Sequence, residues 1–162
     1  MPARERAVLD RAAEMAGWGR DDRALGIAIF SMAETTVCQV AEVSADASGA
    51  PTVERVFCAI DCGSVVNPDT VRGQAEGSIL FGLAAALRGR ITVRNGEVEQ
   101  SNFHDYPMLR LGDVPEIEVQ IIERREAPGG VGEPATPPIA PAVANALFVA
   151  TGRRVRELPL EG

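Results

Sequence analysis

A stretch rich in glycine and proline near the C-terminal end places the strongest constraint on how this chain can fold. It runs from Pro128 to Pro138 and contains the sequence GVGEP at residues 130–134. Glycine permits positive φ and close approach of other groups, whereas proline fixes φ and removes a hydrogen-bond donor, so neither a helix nor a central strand continues through the stretch. The chain must therefore place a stiff loop here, and that loop holds the Glu133 carboxylate in one position.

Length and composition are those of one folded domain. The chain has 162 residues, of which 46% are hydrophobic and 24% charged, which is typical of a globular domain with a single core. Because no apolar run approaches the length of a membrane-spanning helix, we expect no membrane insertion. Residues 1–11 carry charges of both signs and no apolar stretch of a signal peptide. This favours the cytoplasm, with the periplasm as the alternative for a larger parent protein.

The charged and metal-binding residues limit the kinds of partner. A net charge of −7 without an extended basic cluster argues against nucleic acid, and it predicts that a phosphate-bearing ligand would be held by backbone N–H groups. Three cysteines without a C-x-x-C motif and one histidine, His104, supply neither an iron–sulfur site nor a multi-histidine zinc site. We therefore expect buried thiols in a reducing compartment.

Hydrophobic periodicity predicts the elements of the first half of the chain. It indicates a helix over residues 3–17 and strands over 25–30, 35–43 and 53–60, with turn-forming residues that join the last two strands into a hairpin. The next helix has a clear start, because Asn67 is a capping residue and Pro68 occupies the first helical position. This helix is predicted over residues 68–87.

The first half of that helix contains two glycines one turn apart, Gly73 and Gly77. Each costs about 1 kcal/mol relative to alanine in a helix interior, so we expect another helix or a ligand to approach this backbone closely. Gln74 and Glu76 lie beside them. Two interpretations follow from these residues alone: a glycine-notched helix that packs on a neighbour with Gln74 exposed, or a helix that binds a ligand.

The second half is predicted as a hairpin over residues 90–100 with Asn95-Gly96 at its turn, a loop over 101–112, a strand over 115–123 and a helix from about 140 to Gly152. His104 and Asp105 are interpreted as loop anchors because no nucleophile motif lies nearby. A short final strand is predicted over 153–158. These elements predict an α+β fold, one domain whose mixed or antiparallel sheet carries about three helices.

Two groups of residues resemble the molybdopterin-binding subunit of xanthine oxidase-type molybdenum hydroxylases. One group is GVGEP at 130–134 with the apolar helix after it, and the other, earlier in the chain, is DCG at 61–63, NP at 67–68 and GQAEG at 73–77. Both occur in the family in the same order. The chain is similar to the C-terminal part of that large subunit, and within the family it resembles the isoquinoline 1-oxidoreductase β-subunit group.

The resemblance implies a role for each matching residue. Glu133 would be the catalytic base beside the molybdenum, and Gln74 would hydrogen-bond the pterin through its amide. Gly73, Val131 and Gly132 would complete the cofactor-binding set, and no side chain of the chain would bind the metal. The cofactor would be molybdopterin, usually the cytosine dinucleotide form in bacteria. The reaction would be oxidation of aldehydes or N-heterocyclic aromatic compounds with oxygen taken from water.

The same resemblance implies that this polypeptide works with others. It covers nearly all of residues 1–162 but only the final portion of the family's large subunit. The implied partners are the remaining part of that subunit, a small subunit with 2Fe-2S clusters and a small-molecule substrate. We expect the chain by itself to be inactive and to retain no cofactor. The alternative is a non-catalytic binding or assembly module that keeps the fold without the complete site.

Overall fold

The computed structural model describes residues 1–20 and 22–160, and in that part of the chain it contains three α-helices, a four-stranded sheet and a small hairpin. In chain order the elements are α1 (Ala3–Ala16), β1 (Leu25–Met32), β2 (Thr35–Ala45), β3 (Pro51–Asp61), α2 (Pro68–Arg88), β4 (Val93–Arg94), β5 (Glu97–Val98), β6 (Glu116–Ile121) and α3 (Ile139–Thr151), with a 3-10 turn at Leu111–Asp113. The predicted α+β class, the mixed sheet and the number of helices are confirmed.

The main sheet has the strand order β1-β2-β3-β6. The first three strands are antiparallel, whereas β6 pairs in parallel with β3 at the edge. Since parallel neighbours cannot be joined by a tight hairpin, the chain leaves β3, forms α2 and the β4-β5 hairpin, and returns to start β6. The ends of β1, β3 and β6 therefore lie at one end of the sheet, where Thr36 pairs with Asp61 and Ile60 pairs with Ile121.

Each face of the sheet packs against its own helices, because alternate side chains of a strand point to opposite faces. Helix α1 covers one face, and α2 with α3 covers the other. The core under α1 contains Val8, Ala12, Ala16, Leu25, Cys38, Val40, Phe57 and Ala59. The larger core under α2 and α3 includes Val37, Val56, Ile60, Ile79, Leu83, Ile139 and Val143. The three cysteines are buried and unpaired, as predicted.

Helix α3 lies directly on β1 because Gly26 has no side chain. A Cβ atom at this position would stand 2.1 Å from the carbonyl oxygen of Ala142 and 2.2 Å from the amide nitrogen of Ala146. Both are backbone atoms of α3, which cannot move aside as a flexible side chain would. The close contact fixes the position of α3 and of the loop that leads into it.

One prediction about the backbone is wrong. Residues 153–158 form no strand; the chain runs instead to Leu160, whose N–H donates to the carbonyl oxygen of Ala86 at 2.8 Å and whose side chain is buried in the core beneath α2. At Gly73 and Gly77 the sequence predicted the approach of a helix or a ligand. No helix within the described residues approaches them, because a Cβ at either would have no neighbour within 4 Å, and the approach of a ligand stays a prediction. The close contact on α2 lies at Gly82, where a Cβ would be 2.7 Å from the carbonyl oxygen of Thr136.

Candidate functional site

The glycine- and proline-rich loop and α2 enclose a cavity of about 590 Å³. The lining residues are Phe30, Met32, Gln74, Gly77, Ser78, Phe81, Gly132, Glu133, Thr136 and Pro137. Gln74 and Glu133, which the sequence singled out in two separate motifs, therefore share one cavity, together with Gly132. Gly77 lies on the cavity wall, where no atom of the described chain packs within 4 Å of its Cβ position.

The other two predicted cofactor-binding residues lie outside this lining. Gly73 is exposed on the first turns of α2. Val131 is half-buried and packs against the core beneath α2 and α3. The side chain of Val131 therefore anchors the loop, and only its backbone is free to contact a ligand.

Two hydrogen bonds hold the loop on either side of Glu133. Ser78 Oγ on α2 donates to the carbonyl oxygen of Gly132 at 3.0 Å. Gln39 Nε2, on a fully buried side chain of β2, donates to the carbonyl oxygen of Ala135 at 2.7 Å. The Gln39 bond is buried and has no competing solvent partner, and the Ser78 bond is partly buried. Together they hold the loop on α2 and on β2.

The entry to the loop packs on the end of the sheet. Gly129 N–H donates to the carbonyl oxygen of Cys62, and Gly130 N–H donates to that of Ala33, each at 2.8 Å. A Cβ on Gly129 would lie 2.5 Å from Thr35 Oγ1. Ala33 and its neighbour Glu34 have φ of 50° and 60°, which are unusual for residues other than glycine. The β1-β2 turn and the glycine loop thus support each other.

A buried ion cluster fixes the base of the same loop. The Asp61 side chain is fully buried and accepts hydrogen bonds from Arg4 Nη2 at 2.9 Å, from Arg124 Nε and from the N–H of Gly63 at 3.1 Å. Burial alone would raise the pKa of Asp61, but the hydrogen bonds from Arg4, Arg124 and Gly63 outweigh it and hold the pKa below its ordinary value. The cluster joins α1, the end of β3 and the segment that enters the loop.

The functional groups in the cavity have no competing partners. No described residue hydrogen-bonds the Gln74 amide or the Glu133 carboxylate, and the backbone N–H groups of Val131, Gly132 and Glu133 donate no hydrogen bond to another described residue. Three successive N–H groups suit phosphate oxygens, and an amide suits a polar heterocycle. This donor set fits a phosphate-bearing pterin, which the negative net charge had led us to expect on backbone N–H groups.

Sequence reasoning missed several residues of the site. Ser78 and Phe81 follow Gln74 at the spacing that places residues on one face of a helix, so their proximity could have been inferred from periodicity. Gln39 carried no such signal, because it belongs to a distant strand. Phe30 and Met32 joined the cavity through the pairing of β1 with β2, which the sequence does not specify locally.

The His104-Asp105 pair serves as the predicted loop anchor. The Asp105 carboxylate accepts hydrogen bonds from the N–H groups of Asn102 and Ser101 and from the Ser101 hydroxyl. These bonds lower the pKa of Asp105 to about 2, and the bond from the Asn102 N–H has the largest effect. The Asp105 carboxylate thus accepts its hydrogen bonds from residues of its own turn and holds that turn together.

Within residues 1–20 and 22–160, no group of three or more histidine, cysteine, aspartate or glutamate side chains is placed to hold a metal ion. None of the helices in this part of the chain has the length and apolar character needed to cross a membrane.

A family model for the molybdopterin cofactor-binding domain matches residues 12–115. The chain therefore belongs to this family of molybdopterin-binding domains, and the resemblance to xanthine oxidase-type molybdenum hydroxylases is confirmed. The matched range includes Gln74 and ends before Glu133.

Individual relatives agree with that family. The chain is 42% identical to the isoquinoline 1-oxidoreductase subunit beta of Brevundimonas diminuta over 95% of its own length and 21% of the relative's. It is 35% identical to the membrane-bound aldehyde dehydrogenase (pyrroloquinoline-quinone) of Gluconacetobacter polyoxogenes, over 97% of this chain and 22% of that protein. Quinoline 2-oxidoreductase from Pseudomonas putida 86 has a TM-score of 0.68 and 28% identity, covering 73% of this chain and 16% of that one. The chain spans about a fifth of the length of these curated relatives.

Proposed function

We propose that residues 1–162 are the C-terminal domain of a molybdopterin-binding large subunit and that the cavity between α2 and the 128–138 loop is one wall of its cofactor and substrate site. The observation that carries the proposal is the convergence of Gln74 and Glu133, from two distant motifs, on one cavity. The family match and the relative that is 42% identical support it. The parent enzyme oxidises aldehydes or N-heterocyclic aromatic compounds.

In this proposal the chain holds molybdopterin, in the cytosine dinucleotide form, through uncharged groups. The Gln74 amide hydrogen-bonds the edge of the pterin, and the backbone N–H groups of Val131, Gly132 and Glu133 donate hydrogen bonds to its phosphate oxygens. Gly73 leaves the backbone of α2 open beside Gln74. When bound, this cofactor supplies the redox chemistry that places an oxygen from water on the substrate.

Glu133 is the base of the reaction. Its carboxylate lies in the cavity and no described residue donates a hydrogen bond to it, so it can accept a proton. A general base must also be held within reach of that proton, and the bonds from Ser78 and Gln39 to the loop hold it there. Phe30 and Phe81 provide an apolar wall, which suits a flat, weakly polar substrate.

The complete enzyme contains further polypeptide. We propose that the remaining part of the large subunit closes the open side of the cavity and that a small subunit with 2Fe-2S clusters carries the electrons away. We propose that the assembly is located in the cytoplasm. The relative from Brevundimonas diminuta, which is named as the beta subunit of its enzyme, supports a multi-subunit enzyme.

The test uses the complete enzyme, expressed with the rest of its large subunit and its iron–sulfur partner. We expect Glu133→Gln to retain molybdenum and pterin while oxidation of an aldehyde or of isoquinoline is abolished, because an amide cannot accept the proton. Gln74→Ala is expected to lower the pterin content. Glu76→Gln, an exposed acid on the same helix that does not line the cavity, is the control and keeps both activity and cofactor.

Three results would contradict the proposal. Normal turnover by Glu133→Gln would remove the base, and unchanged cofactor content in Gln74→Ala would remove the pterin contact. An assembled protein without molybdenum would identify the chain as a non-catalytic binding or assembly module. Because one relative is named for pyrroloquinoline quinone, the experiment must also identify which cofactor the assembled protein contains.

A further inference from the structure

Four arginines line a second cavity, of about 370 Å³, formed by residues 153–160 and the end of α2. They are Arg90, Arg153, Arg154 and Arg156, and all four are exposed. Glu157 is the only acidic residue of the described chain that lines this cavity. We refer to this cavity and its four arginines as the arginine pocket.

The arginine pocket differs from the rest of the described surface. No described carboxylate forms an ion pair with any of the four, whereas most of the other described arginines pair with an acid, as Arg6 does with Asp10 at 2.8 Å and Arg23 with Glu42 at 3.0 Å. The chain as a whole carries a net charge of −7. Guanidinium groups concentrated in one cavity raise the local positive potential, which attracts a negatively charged partner.

The backbone around the pocket decides what kind of anion fits. Arg90 follows Gly89, the C-cap of α2, and Arg153 follows Gly152, the C-cap of α3. The C-terminal end of a helix carries partial negative charge, which attracts arginines but opposes a compact, doubly charged phosphate. An extended chain of separate carboxylates avoids this opposition, because each can pair with one guanidinium fork.

The remaining walls are apolar and firmly held. Leu158 is 55% exposed and lies in the lining beside Val155. Leu160 anchors the segment through its buried side chain and its 2.8 Å hydrogen bond to Ala86. Arg154 is also fixed, because its guanidinium stacks on the Phe148 ring at 3.8 Å. A pocket with ordered walls loses little conformational entropy on binding.

We propose that the arginine pocket binds an acidic segment of a partner polypeptide, in which aspartate or glutamate residues alternate with small apolar ones. The carboxylates pair with Arg90, Arg153 and Arg156, and the apolar residues cover Leu158. This interaction surface is independent of the proposed enzymatic function, so the failure of either leaves the other intact.

The test measures fluorescence anisotropy of a short labelled peptide in which glutamate alternates with alanine, at low salt with the 162-residue chain. We expect binding that weakens as salt is added, and a loss of at least about tenfold in affinity in the double variant Arg153→Glu/Arg156→Glu. The control Arg6→Glu/Arg11→Glu makes the same change in net charge on α1 and is expected to alter affinity by less than about twofold. A second variant, Arg153→Gln/Arg156→Gln, removes the positive charges without adding negative ones. Circular dichroism of both variants shows whether a loss of affinity comes from lost contacts or from lost folding.

Each alternative result would overturn the proposal. Absence of binding by the unaltered chain would show that the pocket does not recognise acidic peptide. An equal loss in the α1 control would show that only overall charge matters. Displacement of the peptide by inorganic pyrophosphate at lower concentration than by unlabelled peptide would identify a phosphate site instead.

Discussion

Ser78 Oγ donates a hydrogen bond of 3.0 Å to the carbonyl oxygen of Gly132, the residue immediately before Glu133. This bond connects the helix that carries Gln74 to the loop that carries Glu133. The two side chains that the sequence motifs single out are therefore positioned relative to each other by a third, whose type and position drew no attention in the sequence.

Removal of that bond is expected to loosen the loop. Ser78→Ala leaves the carbonyl of Gly132 without its partner, and we expect the free energy of unfolding to fall by about 1 kcal/mol. Urea denaturation followed by circular dichroism measures this change. Ser44→Ala, which removes an exposed bond to Glu54, is the matched control and should change stability by less than about 0.5 kcal/mol. Equal effects of the two substitutions would show that the Ser78 bond has no special role.

The buried Asp61 cluster predicts both a loss of stability and a pH dependence. Asp61→Asn leaves Arg4 and Arg124 without their buried counter-ion, at a cost of about 3 kcal/mol near neutral pH. Because the folded pKa of Asp61 lies below its unfolded value of about 3.8, the cluster stabilises fully above that pH and its contribution is lost as pH falls through the folded value.

Stability of the unaltered chain should therefore drop more steeply than that of Asp61→Asn when the pH is lowered below about 3.8. Urea unfolding at a series of acidic pH values compares the two slopes. The control is Asp10→Asn, whose carboxylate pairs with Arg6 on the surface and contributes less than about 0.5 kcal/mol. Parallel pH profiles for the chain and Asp61→Asn would contradict the assigned pKa direction.

The contact of β1 with α3 predicts a strong dependence on side-chain size. Gly26→Ala places a methyl group against backbone atoms of α3, and we expect a loss of about 3 kcal/mol or more, because the helix must move. Gly112→Ala is the control, since a Cβ there would meet nothing within 4 Å. Thermal unfolding of the two variants gives the comparison. Similar melting temperatures would mean that α3 does not rest on β1 as described.

The buried thiols predict low reactivity and a loss of stability in alkali. Burial raises the pKa of Cys38 and of Cys58 to about 12, so both remain protonated in the folded chain at neutral pH. Iodoacetamide should modify them only after unfolding, as mass spectrometry would detect. Above the ordinary value of 9.0 the unfolded state loses these protons first, so stability should decline as pH rises towards 12. Rapid labelling of the native chain would contradict their burial.

Much of the local structure follows from the sequence, because its determinants lie within a few residues of each other. Asn67 caps α2 through its side chain, which accepts from the N–H groups of Asp69 and Thr70. The Asn95-Gly96 turn has the positive φ values that its residues favour. The alternation of Ile117, Val119 and Ile121 places them against one core, as predicted. The wrong prediction has the same cause: residues 153–158 have strand-like composition, but they form no strand. The segment is held instead through Leu160, whose N–H donates to the carbonyl oxygen of Ala86 on α2.

The sequence by itself determined three features: the stiff loop at 128–138, the start of α2 and the family. Local φ/ψ preferences and motif identity need no distant partner. Only the tertiary structure placed Gln74 and Glu133 in one cavity, joined Asp61 to Arg4 and Arg124, and showed that α2 is closely packed at Gly82. Those relationships depend on which strands pair and which helix faces meet. They are decided by packing of the whole chain and not by any one segment.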